Sequence, residues 1–269
     1  NGGKRFFRGS CFRIASEFEM MKRIVVKVGS NVLTREDGTL DITRMSALTD
    51  QVAQLHKAGK EVILVSSGAV ASGRSEICPS EALDDGSSRQ LYSAVGQVKL
   101  INRYYGLFHS HGIVCGQVLT TKDSLSRPGQ YENQQHCIEV MLQCGVIPII
   151  NENDTISLTE LMFTDNDELS GTMARMMGAD ILVILSAIDG MYDGDPSDPA
   201  SRVIPEIHQD AAGNIEACIT EGRSSAGRGG MKTKCGVALS VSAAGIPVVI
   251  ANGRREGILM EVLNGGNVP

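Results

Sequence analysis

Two dense groups of short amide and carboxylate side chains are the first candidates for chemistry: Asn151-Glu152-Asn153-Asp154 and Asp165-Asn166-Asp167. They follow directly on an apolar run, Val146-Ile147-Pro148-Ile149-Ile150. Groups of this kind can grip a small, many-sided polar substrate and orient cations. Asn and Asp also start turns readily, because their side chains bond back to the local backbone, so a turn-rich loop is the other reading. Cations and glycines elsewhere favour the first. Lys27 stands inside the apolar run Ile24-Val25-Val26-Lys27-Val28, two residues before Gly29-Ser30. An unpaired ammonium in a core is costly. It is either a strand-edge lysine reaching water or a strand-end lysine on a phosphate. In the second case Gly29 and Ser30 offer backbone N–H groups to the same anion.

A second glycine-rich segment is Gly227-Arg228-Gly229-Gly230-Met231-Lys232-Thr233-Lys234. It is not a Walker A loop, since Met231 stands where the second Gly is required, and it lacks the final Gly of a dinucleotide-binding loop. Glycines, a helix start and two lysines still describe a phosphate cradle. A mobile surface loop is the alternative. Ser66-Ser67-Gly68-Ala69 is not a nucleophile elbow, because Val65 occupies the position where that turn needs Gly. It reads as a substrate-binding turn. Tyr192 to Asp198 lacks the spacing and closing Glu of a calcium loop and reads as a turn-rich loop on the nucleotide side. The five histidines form no ligand set, and His56 reads as a surface residue.

The elements that must position these residues follow from periodicity. Short apolar runs predict strands over 24–28, 62–65, 113–119, 146–150, 181–185 and 246–250. Apolar recurrence at three and four predicts helices over 43–58, 89–108, 131–143, 167–177 and 231–244. Buried strands alternating with amphipathic helices predict an α/β fold, a three-layer α/β/α sandwich on a mainly parallel sheet. Ligands of such sheets collect at the carboxyl ends of the strands. Those ends carry Gly29-Ser30, Ser66-Ser67-Gly68, Asn151 to Asp154, Ser186 and Asn252-Gly253. There is no internal repeat and no low-complexity linker. Residues 21–269 form a single predicted domain, divided near Met176 to Ala179 into lobes 21–177 and 178–269. Residues 1–20 begin with Asn and carry Lys4, Arg5, Arg8 and Arg13 with few acids. They read as a transit peptide, an expression leader or sequence upstream of a start at Met20 or Met21, outside the fold.

Bulk composition narrows the function. The 269 residues are 42% hydrophobic and 21% charged, enough for one large or two modest cores. A net charge of -6 with 4% aromatic residues and no Trp lacks the basic field of a nucleic-acid binder. No apolar run approaches the ~20 residues that span a bilayer. The seven cysteines show no Cys-x-x-Cys pair and are expected to be reduced, mostly buried thiols of a cytoplasmic protein.

Six segments together resemble the glutamate 5-kinases of the amino acid kinase family. They are Val26-Lys27-Val28-Gly29-Ser30, Ser66 to Ala69, Val95-Gly96-Gln97, Ile150 to Asp154, Asp165 to Ser170 and Gly229 to Lys234. The likeness runs from about Lys22 to the C-terminus. The resemblance implies the amino acid kinase fold and transfer of the γ-phosphate of ATP to the side-chain carboxylate of L-glutamate, in proline biosynthesis. It implies Lys27 and Lys234 on the transferring phosphoryl group and Asp167 holding the two lysines. It implies Ser67, Asp154 and Asn166 on glutamate, so that lobe 21–177 binds glutamate and lobe 178–269 binds ATP. Nucleotide contacts fall on Lys27, Ser186, Ala187, Arg228, Gly229, Gly230, Met231, Lys232, Thr233 and Lys234. Mg2+ would be held by the phosphates, without a protein cage. Feedback inhibition by proline and a dimer or tetramer are also implied. Ser186-Ala187 departs from the family's usual Thr-Asp, and the chain is expected to be a form without the C-terminal PUA domain that many members carry. The other readings are an enzyme of the same fold acting on another acyl acid or a nucleoside monophosphate, and a non-catalytic nucleotide-binding protein.

Overall fold

The computed structural model describes residues 20–157, 163, 165–193, 198–207 and 230–266. Residues 1–19, Arg228 and Gly229 lie outside the described residues.

Strand β1 (Arg23–Val28) is buried because its neighbours are apolar runs on both sides. It pairs in parallel with β2 (Glu61–Ser66) on one side and with β5 (Ile181–Ser186) on the other. β4 (Ile147–Glu152) joins β2, β3 (Cys115–Thr120) lies outside β4, and β6 (Val248–Asn252) lies outside β5. The sheet order is therefore β3-β4-β2-β1-β5-β6, with these five strand pairings all parallel. Chain order reverses across β1, and the carboxyl end of the strand at such a reversal is where open α/β sheets bind ligands. Lys27-Val28-Gly29 occupy that end.

Helices cover both faces. One face packs Val26, Val28 and Leu64 against α2 (Ile42–Lys57), α4 (Asp85–Ser110) and α9 (Ile258–Leu263). The other packs Val25, Ile63 and Leu182 against α6 (Pro128–Gln143), α7 (Asn166–Met176) and α8 (Met231–Ala243). Burying a Val, Ile or Leu side chain stabilises by ~1.5–3 kcal/mol, so these two clusters hold the three layers together. This is the expected α/β/α sandwich.

The main elements fall where periodicity puts them, with physical exceptions. β3 starts at Cys115 rather than residue 113, because an outer strand is only half-covered and its apolar run overstates its length. α4 starts at Asp85 rather than 89, since Asp84 caps it by accepting from the Ser87 N–H. Four short helices, α1 (Ser30–Leu33), α3 (Ala69–Arg74), α5 (Lys122–Ser126) and α9, are too brief to show a helical period. The cysteines correct one expectation. Of those described, Cys78, Cys137 and Cys144 are exposed, Cys115 is half-covered and Cys235 is buried. The exposed three sit in irregular chain (Cys78), on an outward helix face (Cys137) and in a turn (Cys144), where an apolar neighbour in sequence does not mean burial in space. His56 is half-buried rather than on the surface.

Candidate active site

Lys27 shares the β1 face of Val25, because strand side chains alternate. That face lies under α7. The first turn of α7 is built by Asp165, whose Oδ1 accepts from the N–H groups of Asp167 at 2.9 Å and Glu168 at 3.1 Å. The cap turns Asp167 down onto β1. Its Oδ1 meets Lys27 Nζ at 2.5 Å, and its Oδ2 meets Lys234 Nζ at 2.6 Å. Lys27 is therefore neither at a sheet edge nor in water. It is 4% exposed, on a central strand.

Lys234 arrives from the far end of the chain on α8. The approach depends on Gly171, one turn beyond Asp167 on α7. A Cβ at Gly171 would stand 2.8 Å from Val237 Cγ1 and 3.1 Å from Val241 Cγ2, both on α8. The missing side chain lets the two helices close, and Lys234 lies one turn before Val237.

Three buried charges share a small volume. Burial opposes the Asp167 charge, but the two ammonium groups outweigh it and hold its pKa below the ordinary value. Burial lowers the Lys27 pKa, against the attraction of Asp167 and with help from Lys234. Asp165 goes the other way. Burial, then the charge of Asp167, push it up to about 6. Its Oδ2 is buried without a hydrogen-bond partner.

The predicted acceptor residues gather next to this triad. Asn166 Nδ2 donates to Ser67 Oγ at 2.9 Å and to Asn151 Oδ1 at 2.8 Å. Ser67 is presented by a turn whose Gly68 has φ +105°, a left-handed conformation that a side chain would strain. Asp154 lies at the other side of the β4 end, bonded by Arg89 and Ser93 of α4. The structure thus sets the ion-paired Lys27–Asp167–Lys234 triad beside a separate hydrogen-bonded group of Asn166, Ser67 and Asn151, joined to it through the chain at Asn166-Asp167, with Asp154 a few residues along the same strand end.

The predicted nucleotide residues are more scattered. Ser186 ends β5 half-buried, its carbonyl accepting from the Gly253 N–H at 2.8 Å, and Ala187 follows it. Gly230 is the N-cap of α8 and makes no side-chain cap bond, at the positive end of the helix. Met231 and Thr233 are half-buried and Lys232 is exposed.

Sequence reasoning gave no role to Arg89 or Ser93, and none of their own to Asn151, Glu152 and Asp165 within the acid-amide clusters. Glu152 is buried, accepting from Ser157 Oγ at 3.0 Å and the Phe163 N–H at 2.9 Å. Gln97 accepts from Asn151 Nδ2 at 2.9 Å. Arg89, Ser93 and Gln97 stand four residues apart, and that polar stripe along an otherwise packed helix was the available signal.

The amino acid kinase family pattern matches residues 22–252. The chain is 63% identical over 243 residues to the glutamate 5-kinase of Bacteroides thetaiotaomicron, covering 90% of this chain and 66% of that protein. It is 45% identical over 253 residues to that of Chlorobaculum tepidum, covering 94% and 69%. With that of Symbiobacterium thermophilum it shares 40% identity over 248 residues, covering 92% and 94%. The chain thus spans about two thirds of the length of the Bacteroides relative. Among solved structures, the UMP kinase of Bacillus anthracis superposes with a TM-score of 0.61 at 14% identity, covering 92% of this chain and 94% of that one. The carbamate kinase of Giardia lamblia bound to AMP-PNP gives 0.62 at 18%, covering 92% and 98%. These two carry the fold alone. The chain belongs to the amino acid kinase family, on its glutamate 5-kinase branch.

Proposed function

We infer that the chain transfers the γ-phosphoryl group of ATP to the side-chain carboxylate of L-glutamate, forming L-glutamyl 5-phosphate and ADP, the opening step of proline biosynthesis. The observation that carries this reading is the single buried carboxylate of Asp167 holding Lys27 and Lys234 on its two oxygens. Two buried ammonium groups share the Asp167 carboxylate, with the Asp165 carboxyl beside them. Paired cations are what the meeting of two anions needs, since the transition state spreads its charge over the phosphoryl oxygens. Lys27 and Lys234 offer donors to those oxygens, while Asp167 fixes their positions before the substrates arrive. Ser67, Asn166 and Asp154 hold the amino acid, Asp154 facing its ammonium. The acceptor end lies in residues 21–177. ATP lies over residues 178–269, along Ser186-Ala187 and the segment from Arg228 to Lys234.

The residues fit a Mg2+ ion carried by the nucleotide. The Asp167 oxygens are taken by lysines, whose charges repel a dication, and among the described residues no cluster of three or more His, Cys, Asp or Glu could hold one. When bound, the ion supplies charge neutralisation on the phosphates. Among the described residues no helix is long and apolar enough to cross a membrane. The reading places the reaction in the cytoplasm, where ATP and glutamate are held, and includes proline as an inhibitor and a dimer or tetramer as the working form. Activity unchanged by millimolar proline removes the first, and a monomer in sedimentation removes the second.

The deciding assay is ATP consumption with glutamate and hydroxylamine, which displaces phosphate from the acyl phosphate and leaves a hydroxamate, read by its coloured ferric complex. Glutamate-dependent hydroxamate is expected. Product from acids lacking the α-amino group at equal efficiency would favour a different acceptor.

A further inference from the structure

Arg89, Ser93 and Gln97 lie one above the other on α4, at the four-residue spacing of a single helix face. All three reach the β4 end. Arg89 donates from Nε to Asp154 Oδ1 at 2.8 Å, and from Nη2 to the same oxygen and to Glu152 Oε2 at 3.4 Å. Ser93 Oγ stands 3.3 Å from Asp154 Oδ2, and Gln97 holds Asn151. The height of α4 is set by glycines. A Cβ on Gly96 would stand 1.8 Å from the Ala69 carbonyl oxygen, and one on Gly73 would stand 1.8 Å from that of Tyr92. Neither backbone can yield that far, so α3 and α4 hold Arg89 rigidly over the strand end.

Charge shows what this corner still needs. Two carboxylates, Asp154 and Glu152, face one guanidinium. Burial, then the charge of Asp154, raise the Glu152 pKa, and Arg89 is among the groups that pull it back. Glutamate brings an ammonium and a carboxylate on one carbon, besides the carboxylate that reacts. Lys27 and Lys234 are committed to Asp167 at the reacting end. Among the described residues bonded to Asn151–Asp154, the cation is Arg89. Asp154 Oδ1 is taken by Arg89, while Oδ2 has the weaker Ser93 contact and can turn to an ammonium. The bonds above leave out Arg89 Nη1. An ammonium beside Asp154 and a carboxylate beside Arg89 bring one charge of each sign, so the balance of this corner is left as it stands. A planar fork suits that arrangement better than a point charge.

On the reading of glutamate as the acceptor, we propose that Arg89 is a specificity residue that binds the α-carboxylate of the incoming amino acid, paired with Asp154 on its ammonium. The test uses 4-aminobutyrate, which is glutamate without the α-carboxylate. In Arg89→Gln, KM for glutamate should rise about 10- to 100-fold, the size of a lost charge-assisted bond. Turnover at saturation and KM for ATP should stay within about threefold, and the inhibition constant of 4-aminobutyrate within about twofold. A purely structural counter-ion would weaken both ligands together. An unchanged glutamate KM, or equal weakening of glutamate and 4-aminobutyrate, overturns the proposal. If Arg89→Gln shows no cooperative melting, Arg89→Lys keeps the charge and loses the fork. Its glutamate KM should rise at least about threefold with 4-aminobutyrate unaffected, and parallel changes overturn the proposal equally. Wild-type protein that makes no hydroxamate from glutamate removes the acceptor reading itself, a result distinct from an active enzyme indifferent to Arg89.

Discussion

Lys234 Nζ lies 2.6 Å from Asp167 Oδ2, on the carboxylate oxygen that Lys27 leaves free. One acid therefore sets the positions of two cations that arrive from opposite ends of the chain. Removing one preorganised cation from such a site costs ~3 kcal/mol or more of barrier. Lys234→Ala should lower turnover about a hundredfold or more while thermal melting stays cooperative. Hydroxamate formation by a folded variant at near wild-type rate would take Lys234 out of the mechanism.

Asp167→Asn should damage the fold as well as the rate. It leaves two buried ammonium groups without their shared counter-charge, and breaking a buried pair costs roughly 3–5 kcal/mol. Because the Asp167 pKa is lowered in the folded state, its contribution is present above the ordinary carboxylate range and fades as pH falls through the folded value. Urea denaturation should show a large gap between wild type and variant at neutral pH that narrows in acid. A gap that persists unchanged in acid would contradict the assignment.

Asp165 gives the opposite pH signature. Its pKa is raised to about 6, so between about 4 and 6 the folded chain binds that proton more tightly than the unfolded chain. The Asp165 contribution to stability therefore falls as pH rises through this window and is level above it. Asn caps a helix as well as Asp and cannot ionise. Asp165→Asn should gain on wild type from pH 4 to 6, read by urea denaturation at each pH. Parallel curves would show that Asp165 titrates normally.

Gly171→Val tests how helix packing places Lys234. The added atoms collide with Val237 and Val241 and force α8 away from α7. Overpacking of this kind costs ~1–3 kcal/mol. A displacement near 1 Å at the catalytic end can cost ~100-fold in rate. Turnover should fall at least tenfold, with Gly171→Ala intermediate, and melting should drop only modestly. Wild-type turnover in the valine variant would mean that Lys234 keeps its place without the close approach.

Much of this was legible in the residues themselves. Apolar runs such as Ile181 to Leu185 and the helical period over 43–58 follow from burial on a strand or a helix face, which is local. The same locality put Lys27, Ser67, Asn151 to Asp154 and Ser186 at or next to strand ends. Short helices such as α3 and α9 stayed hidden because fewer than two turns carry no period.

What only tertiary structure decided is which of these side chains meet. Nothing in sequence spacing pairs β1 with β5, closes α8 onto Gly171 or turns Arg89 toward Asp154. Those contacts depend on how distant apolar faces find cover against one another, and the gain from that burial belongs to the whole assembly rather than to any stretch of chain. The residue types were set by the sequence, while the distances between their charges were set by the packing of the layers.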